Sequence, residues 1–197
     1  MKSYIYGAGG HAKVVWDAMK KSNFVCEGFI DDRRLGQWID LPIFSSSFLD
    51  DINNIELHIA VGDCKSREEI SKSFQNFKFI SIYHPDAIIS SRVEIKYGTF
   101  LAAGSIIGPD AKVGKHTIVN HHAVIDHDCF VGDFCHIAPH VCLGGGAEVG
   151  RGVLVGAGAI VLPGIKIADY ATVGAGSIVT NDIASGVTVV GSPARAI

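Results

Sequence analysis

Residues 113–136 divide into four units of six residues, VGKHTI, VNHHAV, IDHDCF and VGDFCH, and each unit begins with an aliphatic residue. The period continues on both sides, since stepping by six from Ile89 to Val179 meets sixteen consecutive Ile, Leu or Val residues. A repeat this short is typical of a hexapeptide β-helix, in which each unit forms one flat side of a prism and stacked coils bury a continuous core. An ordinary β-sandwich would show irregular strand lengths and loops, so the unbroken period favours the β-helix.

The first 84 residues follow a different pattern, in which strand-like and helix-like segments alternate. Predicted strands are KSYIY, FVCEGFI, LHIAVG and FKFISIY; predicted helices are AKVVWDAMKKS and EEISKSF, the second preceded by a capping box of Ser66 and Glu69. This order predicts a small, mostly parallel α/β sheet of Rossmann-like βαβαβ type. The boundary is expected at His84-Pro85, because the residue before proline is held extended. We therefore expect domains at 1–84 and 85–197.

Composition limits the classes of partner. A hydrophobic share of 48% and a net charge of −3 describe an ordinary globular protein without the basic stripe that nucleic acid requires. No apolar run approaches the roughly 20 residues that span a bilayer, and the first residues lack the apolar stretch of a signal peptide. We expect a cytoplasmic protein with no membrane partner. The cysteines form no CxxC pair, which predicts buried thiols rather than disulfides or structural zinc.

A glycine-rich loop joins the first strand to the first helix. Gly7, Gly9 and Ala12 fit the pattern GxGxxG/A, and Asp31 and Asp32 follow about 20 residues beyond the loop, as in dinucleotide-binding sites. Glycines let the backbone approach a pyrophosphate, and a helix N-terminus favours its negative charge. Some 84 residues make only half of a dinucleotide domain, so a mononucleotide or a nucleotide diphosphate sugar fits better than NAD. The alternative is a tight turn that only connects strand to helix.

The histidines of the repeat are assigned by their position in each hexad. The second and third residues after the aliphatic anchor face outward, which predicts outward His116, His121, His122, His127 and His140, whereas Cys129 and Cys135 take the inward packing position. Only His127 has acidic neighbours on both sides, Asp126 and Asp128. Histidine suits proton transfer near neutral pH, and a carboxylate fixes its tautomer, so His127 is either a general base or a solvated surface histidine. His136 lies half a coil away, so the two rings are expected to meet only across a subunit boundary.

The repeats and the tail VVGSPARAI resemble the hexapeptide acyltransferases, whose fold is a left-handed parallel β-helix with three hexads per coil. The segments YIYGAGGHAKVV, FIDD, IAVGD and IDHDC extend this likeness over nearly the whole chain, to the sugar O- and N-acetyltransferases exemplified by sialic acid O-acetyltransferase and the bacillosamine pathway acetyltransferase. The resemblance implies acetyl transfer from acetyl-CoA to the 4-amine of a UDP-linked 4-amino-4,6-dideoxy sugar. It also implies a homotrimer with active sites between subunits. No cysteine is placed as a nucleophile, so we expect no acyl-enzyme, and we expect no metal.

The resemblance further implies roles for individual residues. His127 matches the general base and Asp128 the acid that raises its basicity, although the family member has Glu there, one methylene longer. Asn120 is expected near the sugar amine or as a structural corner residue, and backbone N–H groups near Gly144 and Gly145 near the oxyanion. The nucleotide sugar is expected at Gly9, Gly10, His11, Asp31, Asp32 and Gly62. Acetyl-CoA is expected at His136, Gly145, Ala157 and Ala175.

Alternative functions share parts of this pattern. GDP-perosamine N-acetyltransferases and sialic acid O-acetyltransferases have most of the same motifs, so the nucleotide and the acceptor atom stay open. A hydratase of the γ-carbonic-anhydrase type would use the same β-helix with zinc between subunits, and six of the nine histidines cluster between 116 and 140. It leaves the nucleotide-type domain and the tail unexplained. A sensor or scaffold without chemistry would not need His127 and Asp128.

Overall fold

The computed structural model describes residues 2–52 and 54–197, which form an α/β domain followed by a β-helix. The elements of the first domain are β1 (Lys2–Tyr6), α1 (Gly10–Lys21), β2 (Cys26–Ile30), β3 (Gly36–Trp38), β4 (Leu41–Phe44), a 3-10 helix (Ser46–Asp51), β5 (Ile55–Ile59), α2 (Cys64–Ser73) and β6 (Lys78–Phe79). The strand order is β3-β4-β2-β1-β5-β6, and all neighbours are parallel except β3 and β4. The parallel α/β prediction is therefore correct, and the β3–β4 hairpin is an addition to it.

Helix α1 joins the two halves of the molecule. Its apolar face buries Ala12, Val15, Ala18 and Met19. This face packs in one cluster with β1 and β2 and with Ile82, Phe100 and Ile118 of the β-helix. A hydrophobic interface of this kind holds two domains in a fixed arrangement.

The capping box predicted at Ser66 and Glu69 is wrong. Helix α2 begins earlier, at Cys64, and its N-cap is Asp63, whose side chain accepts a hydrogen bond from the N–H of Ser66 at 2.7 Å. Aspartate is as good an N-cap as serine. Both residue types are favoured at the N-cap, and the sequence pattern pointed to Ser66 instead of Asp63.

The β-helix consists of strands two residues long separated by turns. They are β7 (Ile82–Tyr83), β8 (Ile88–Ile89), β9 (Glu94–Ile95), β10 (Phe100–Leu101), β11 (Ile106–Ile107), β12 (Lys112–Val113), β13 (Ile118–Val119), β14 (Val124–Ile125), β15 (Phe130–Val131), β16 (His136–Ile137), β17 (Cys142–Leu143), β18 (Glu148–Val149), β19 (Leu154–Val155), β20 (Ile160–Val161), β21 (Lys166–Ile167), β22 (Thr172–Val173) and β23 (Ile178–Val179). The three-residue β24 (Thr188–Val190) and the antiparallel β25 (Arg195–Ala196) close the last coil.

These strands stack into three parallel sheets, one for each side of the prism. Wall 1 contains every third strand from β7 to β22, with β24 and β25; wall 2 runs from β8 to β23; and wall 3 runs from β9 to β21. Partners lie eighteen residues apart, as Ile118 pairs with His136, so three hexads make one coil as predicted. The anchors from Leu101 to Val179 are buried, whereas Ile89 at the open first coil is 41% exposed.

The first coil begins before the predicted domain boundary. The predicted strand FKFISIY is divided, because β6 pairs with β5 while β7 pairs with β10 of wall 1. The β-helix thus starts at Ile82, and the functional division at 84/85 stays a prediction. None of the helices in residues 2–52 and 54–197 is long and apolar enough to cross a bilayer.

The turns place side chains at three corners, which we name by one residue each. The 121 corner lies between walls 1 and 2, the 127 corner between walls 2 and 3, and the 133 corner between walls 3 and 1. The third residue after each anchor from Ile89 to Val173 has a left-handed backbone; Asp128 has φ 58° and His140 has φ 59°. Asp, Asn and His tolerate this conformation better than most residues.

The structure shows the direction of the two cysteines predicted to point inward and of His116, predicted to point outward. Cys129 and Cys135 are buried in the β-helix core as predicted, whereas Cys26, Cys64 and Cys142 are half-buried. His116 leaves the prism as predicted but is not solvated. It is 1% exposed, because β6 and the neighbouring turn cover it with Phe79 and Phe134.

Candidate active site

The 127 corner presents a histidine paired with a carboxylate. Nδ1 of His127 lies 2.8 Å from Oδ2 of Asp128, and the two side chains are 57% and 65% exposed. The N–H of His127 donates to Oδ1 of Asp126 at 2.7 Å, which fixes the turn. A carboxylate only accepts, so Nδ1 carries the proton and Nε2 is left with its lone pair. Asp128 is thus long enough for the contact that the sequence left uncertain.

Both neighbouring carboxylates make His127 more basic. The pKa of His127 is raised above its usual 6.5, first by the hydrogen bond to Asp128 and second by the charge of Asp126. An opposite charge beside an imidazole favours its protonated form. The pair therefore suits a group that must accept a proton during a reaction.

Gly145 lies against the His127 ring, one coil further along the same corner. A Cβ at Gly145 would stand 2.5 Å from Nε2 of His127, so a larger residue would displace the ring. The two predicted oxyanion donors differ. The N–H of Gly144 donates to the carbonyl of Val161 at 2.9 Å, whereas that of Gly145 has no acceptor among the residues the structure describes. Only Gly145 keeps an available N–H beside His127.

A second group of predicted residues lines one cleft of about 760 Å³ in the α/β domain. The cleft lies at the carboxyl ends of β1, β2 and β5, where ligands of parallel sheets bind. Six predicted residues lie in its wall: Gly9, Gly10, His11, Asp31, Asp32 and Gly62. Sequence reasoning missed its other polar residues, Arg33, Ser46, Ser66, Glu69 and Ser73.

The glycine loop is open toward this cleft. A Cβ at Gly9 or Gly10 would meet nothing within 4 Å, so protein packing does not require glycine at either position. Helix α1 begins there without a side-chain cap or an acidic residue in its first turn. Its first N–H groups are therefore available to an anion.

The two aspartates of the fingerprint shape the cleft through the backbone. Asp31 accepts hydrogen bonds from the N–H groups of Ala8 at 2.8 Å and Arg33 at 2.9 Å, which holds the glycine loop. Asp32 accepts from the N–H of Ser46 at 2.7 Å. Each aspartate thus ties a separate loop to the end of β2.

His136, on wall 1, contacts Gly62 of the cleft wall. Its Nδ1 is 3.1 Å from the carbonyl oxygen of Gly62, and its Nε2 is 3.2 Å from the amide of Asn120. Its ring centroid is 6.4 Å from that of His11. Burial lowers the pKa of His11 to about 3 and that of His136 to about 4. Both rings are therefore neutral hydrogen-bonding groups near neutral pH.

The remaining predicted residues lie apart from this group. Wall 1, which carries His136, is opposite the 127 corner in a three-sided prism, so His127 and His136 do not converge in one chain. Ala157 and Ala175 are exposed at the 121 corner. The predicted acetyl-CoA residues are thus divided between wall 1 and the two corners that flank wall 2. Across residues 2–52 and 54–197, no three His, Cys, Asp or Glu side chains are grouped to hold a metal ion.

Known proteins match both parts of the chain. The family model "PglD N-terminal domain" matches residues 2–74, and "Bacterial transferase hexapeptide (six repeats)" matches residues 146–181. A variant of GDP-perosamine N-acetyltransferase from Caulobacter crescentus, solved with CoA and GDP-perosamine, is 30% identical with a TM-score of 0.96, covering 100% of this chain and 97% of that one.

The acetyltransferase domain of PglB from Neisseria gonorrhoeae, solved with acetyl coenzyme A, is 31% identical with a TM-score of 0.96, covering 100% of this chain and 98% of that one. The chain belongs to the hexapeptide-repeat family of sugar N-acetyltransferases. The fold class predicted from the sequence, with a left-handed β-helix, and the enzyme class are confirmed. A curated relative, an uncharacterized protein of Acanthamoeba polyphaga mimivirus, is 32% identical over 111 residues, which are 55% of this chain and only 23% of that protein.

Proposed function

We propose that this acetyltransferase moves the acetyl group of acetyl-CoA to the 4-amine of a nucleotide-linked 4-amino-4,6-dideoxy sugar, with UDP as the nucleotide. The observation that carries the proposal is the His127–Asp128 pair, in which Nε2 is free and the pKa is raised. Relatives solved with CoA, acetyl-CoA and a nucleotide sugar support the two substrates.

His127 acts as general base in a direct transfer. Nε2 removes a proton from the sugar amine as the nitrogen attacks the thioester carbonyl, and Asp128 stabilises the imidazolium that forms. The tetrahedral oxyanion accepts a hydrogen bond from the N–H of Gly145. The C–S bond then breaks as the amide forms, and the proton on His127 passes to the departing CoA sulfur. Burial raises the pKa of the Cys129 and Cys135 thiols, so neither cysteine serves as a nucleophile.

The nucleotide sugar binds in the cleft of the α/β domain. Gly9 and Gly10 admit a diphosphate at the start of α1, and its N–H groups donate to the phosphate oxygens. The sugar lies toward His11 and Asn120, whose neutral ring and amide hydrogen-bond it without adding charge. We assign His136, predicted from the sequence to contact acetyl-CoA, to the sugar side instead, because it hydrogen-bonds to Asn120 and to Gly62. Asp31 and Asp32 hold the loops that surround the nucleotide.

The enzyme works as a homotrimer with each site between two subunits. The outer face of wall 2 supports this arrangement, because all six outward residues are apolar or thiol: Ile88, Ile106, Val124, Cys142, Ile160 and Ile178. Such a face is stable when a second copy covers it. Wall 2 joins the 121 and 127 corners, so its burial brings the 127 corner of one subunit to the Asn120 and His136 side of the next.

Mass spectrometry of products tests the substrate assignment. Purified enzyme is incubated with acetyl-CoA and a panel of UDP- and GDP-linked amino sugars, with the His127→Asn variant as control. We expect one acetyl group on a UDP-linked 4-amino sugar, stable to alkaline hydroxylamine as an amide is and an ester is not. No acetylation of any amino sugar would refute the proposal.

A GDP-linked 4-amino sugar is the second candidate. It is favoured by the 30% identity to a GDP-perosamine N-acetyltransferase over the full length of this chain. The same panel separates the candidates, since selective acetylation of GDP-perosamine would show that the substrate carries GDP and not UDP. If free sugars are added to the panel, a hydroxylamine-labile product on one of them would indicate O-acetylation instead.

A further inference from the structure

Arg67 of α2 is a buried arginine that no carboxylate neutralises. Its side chain is 1% exposed, and no Asp or Glu among residues 2–52 and 54–197 forms an ion pair with it. A buried charge is costly unless hydrogen bonds satisfy it. A buried cation at this point of the fold therefore needs an explanation.

Carbonyl oxygens from three segments satisfy the guanidinium. Nε donates to His116 at 2.7 Å, and Nη2 donates to Phe134 at 2.7 Å and Cys135 at 2.9 Å, all on the β-helix. Nη1 donates to Val61 at 2.7 Å and Gly62 at 3.0 Å in the α/β domain. A planar fork of five N–H groups spans these acceptors, which a lysine ammonium does not.

One of these carbonyls is shared with the site. The oxygen of Gly62 accepts from Arg67 and also lies 3.1 Å from Nδ1 of His136. A carbonyl only accepts, so Nδ1 of His136 carries the proton and Nε2 accepts from the amide of Asn120. The oxygen of that amide accepts from the N–H of His121 at 2.9 Å, which fixes its orientation.

The charge of Arg67 acts on the same ring. After burial, the guanidinium is the second cause that lowers the pKa of His136 to about 4. A cation close to an imidazole disfavours a second proton on it. Geometry and charge thus favour one form of His136, neutral and protonated at Nδ1.

We propose that Arg67 is a positioning residue of the active site, which fixes the 61–63 segment on the β-helix and thereby holds His136 as the neutral, Nδ1-protonated ring toward the nucleotide sugar. The effect on substrate rests on the proposed function. The effect on His136 does not, because it concerns the protein alone.

The test combines NMR with kinetics on the full chain. Spectra of ¹⁵N-histidine-labelled enzyme, assigned with His136→Gln, report the tautomer and titration of His136. In the unmodified enzyme we expect Nδ1–H and no titration between pH 7 and 5. An imidazolium or an Nε2–H tautomer at pH 6 would overturn the proposal without any variant of Arg67.

Two variants separate charge from geometry. Arg67→Met removes the cation, so His136 should titrate at higher pH; Arg67→Lys keeps the charge and loses the fork, so both tautomers should appear and KM for the nucleotide sugar should rise about tenfold with a smaller change in kcat. Arg151→Lys is the matched control, because Arg151 also joins the domains, through Glu68 at 2.8 Å, without reaching Gly62.

The outcomes distinguish the two proposals. An unaltered His136 tautomer and KM in folded Arg67→Lys would overturn the positioning role, and so would equal effects of Arg151→Lys. If the proposed acetyl transfer is wrong, the NMR result stands and only the KM comparison is lost. Failure of Arg67→Met to fold leaves Arg67→Lys and the unmodified enzyme to decide.

Discussion

His127 and His136 lie in the same run of hexapeptides, one at an exposed corner of the prism and the other on the wall beside the α/β domain. Two carboxylates surround His127 and raise its pKa, whereas burial and Arg67 lower that of His136. The repeat places His127 in a turn between two strands and His136 on a strand. Their chemistry differs because of what each meets outside the prism, and we propose that one serves as base while the other orients substrate.

The largest expected effect comes from the His127 side of this comparison. His127→Asn should lower kcat by about 10² to 10⁴, the usual contribution of a general base, and leave binding of CoA intact in calorimetry. His136→Gln should act mainly on KM, because His136 is neutral and hydrogen-bonded. Lys112→Gln is the control, since Lys112 is exposed on wall 3, outside both groups. Equal losses of kcat in the first two variants would contradict the division of roles.

A smaller loss of kcat is expected when His127 is kept but its ring is displaced. Gly145→Ala introduces a Cβ 2.5 Å from the unmoved Nε2, so the ring must shift. Misplacement of this size costs up to about 10²-fold in kcat. Gly164→Asn is the control, because Gly164 has φ +71° and open space around it, which asparagine tolerates. Full activity of Gly145→Ala would show that the ring position is unimportant.

The pH profile tests the carboxylates around His127. As the proposed base, His127 would work only when neutral, so kcat/KM should fall as pH drops through a pKa above 6.5. Asp128→Asn removes the larger cause and should move this acid limb toward lower pH, with a lower plateau rate. Asp126→Asn should move it less, because its charge is the second cause. If the acid limb stays at the same pH in Asp128→Asn, the titrating group is not His127.

The smallest effect concerns stability at the interface around His136. Burial lowers the pKa of His11 and His116 to about 3, and of His58 and His136 to about 4. Below pH 6.5 these histidines bind protons in the unfolded chain but stay neutral in the folded chain. This stability is therefore fully present above pH 6.5 and is lost progressively as pH falls toward 3. Urea unfolding at several pH values measures it. His116→Phe should reduce the slope, and an unchanged slope would show that His116 is protonated when folded.

Much of this arrangement follows from sequence. Along most of the β-helix, each hexad buries its anchor and the residue four positions later, so the directions of Cys129, His127 and Asp128 could be deduced from the period alone. The glycine loop and Asp31 could be identified for a similar reason, since a close backbone approach requires particular residues at fixed spacing.

The contacts between the two domains could not be deduced in this way. Local patterns describe one element at a time, and nothing in EEISKSF or its flanks distinguishes the buried Arg67 from a solvated arginine. Docking also buries His116, which the period predicts only to be outward. The pairing of His136 with Gly62 joins residues 74 positions apart, which only the folded interface brings together.

The central claim is that the 127 corner of one subunit and the His136 side of another form one site. Mixing two inactive variants in vitro tests it directly: His127→Asn and Gly10→Trp, which fills the cleft, are unfolded together and reassembled. We predict that the mixture regains about a quarter of wild-type activity, because one site in four would join two intact halves in randomly assembled trimers. A mixture as inactive as each variant alone would contradict it.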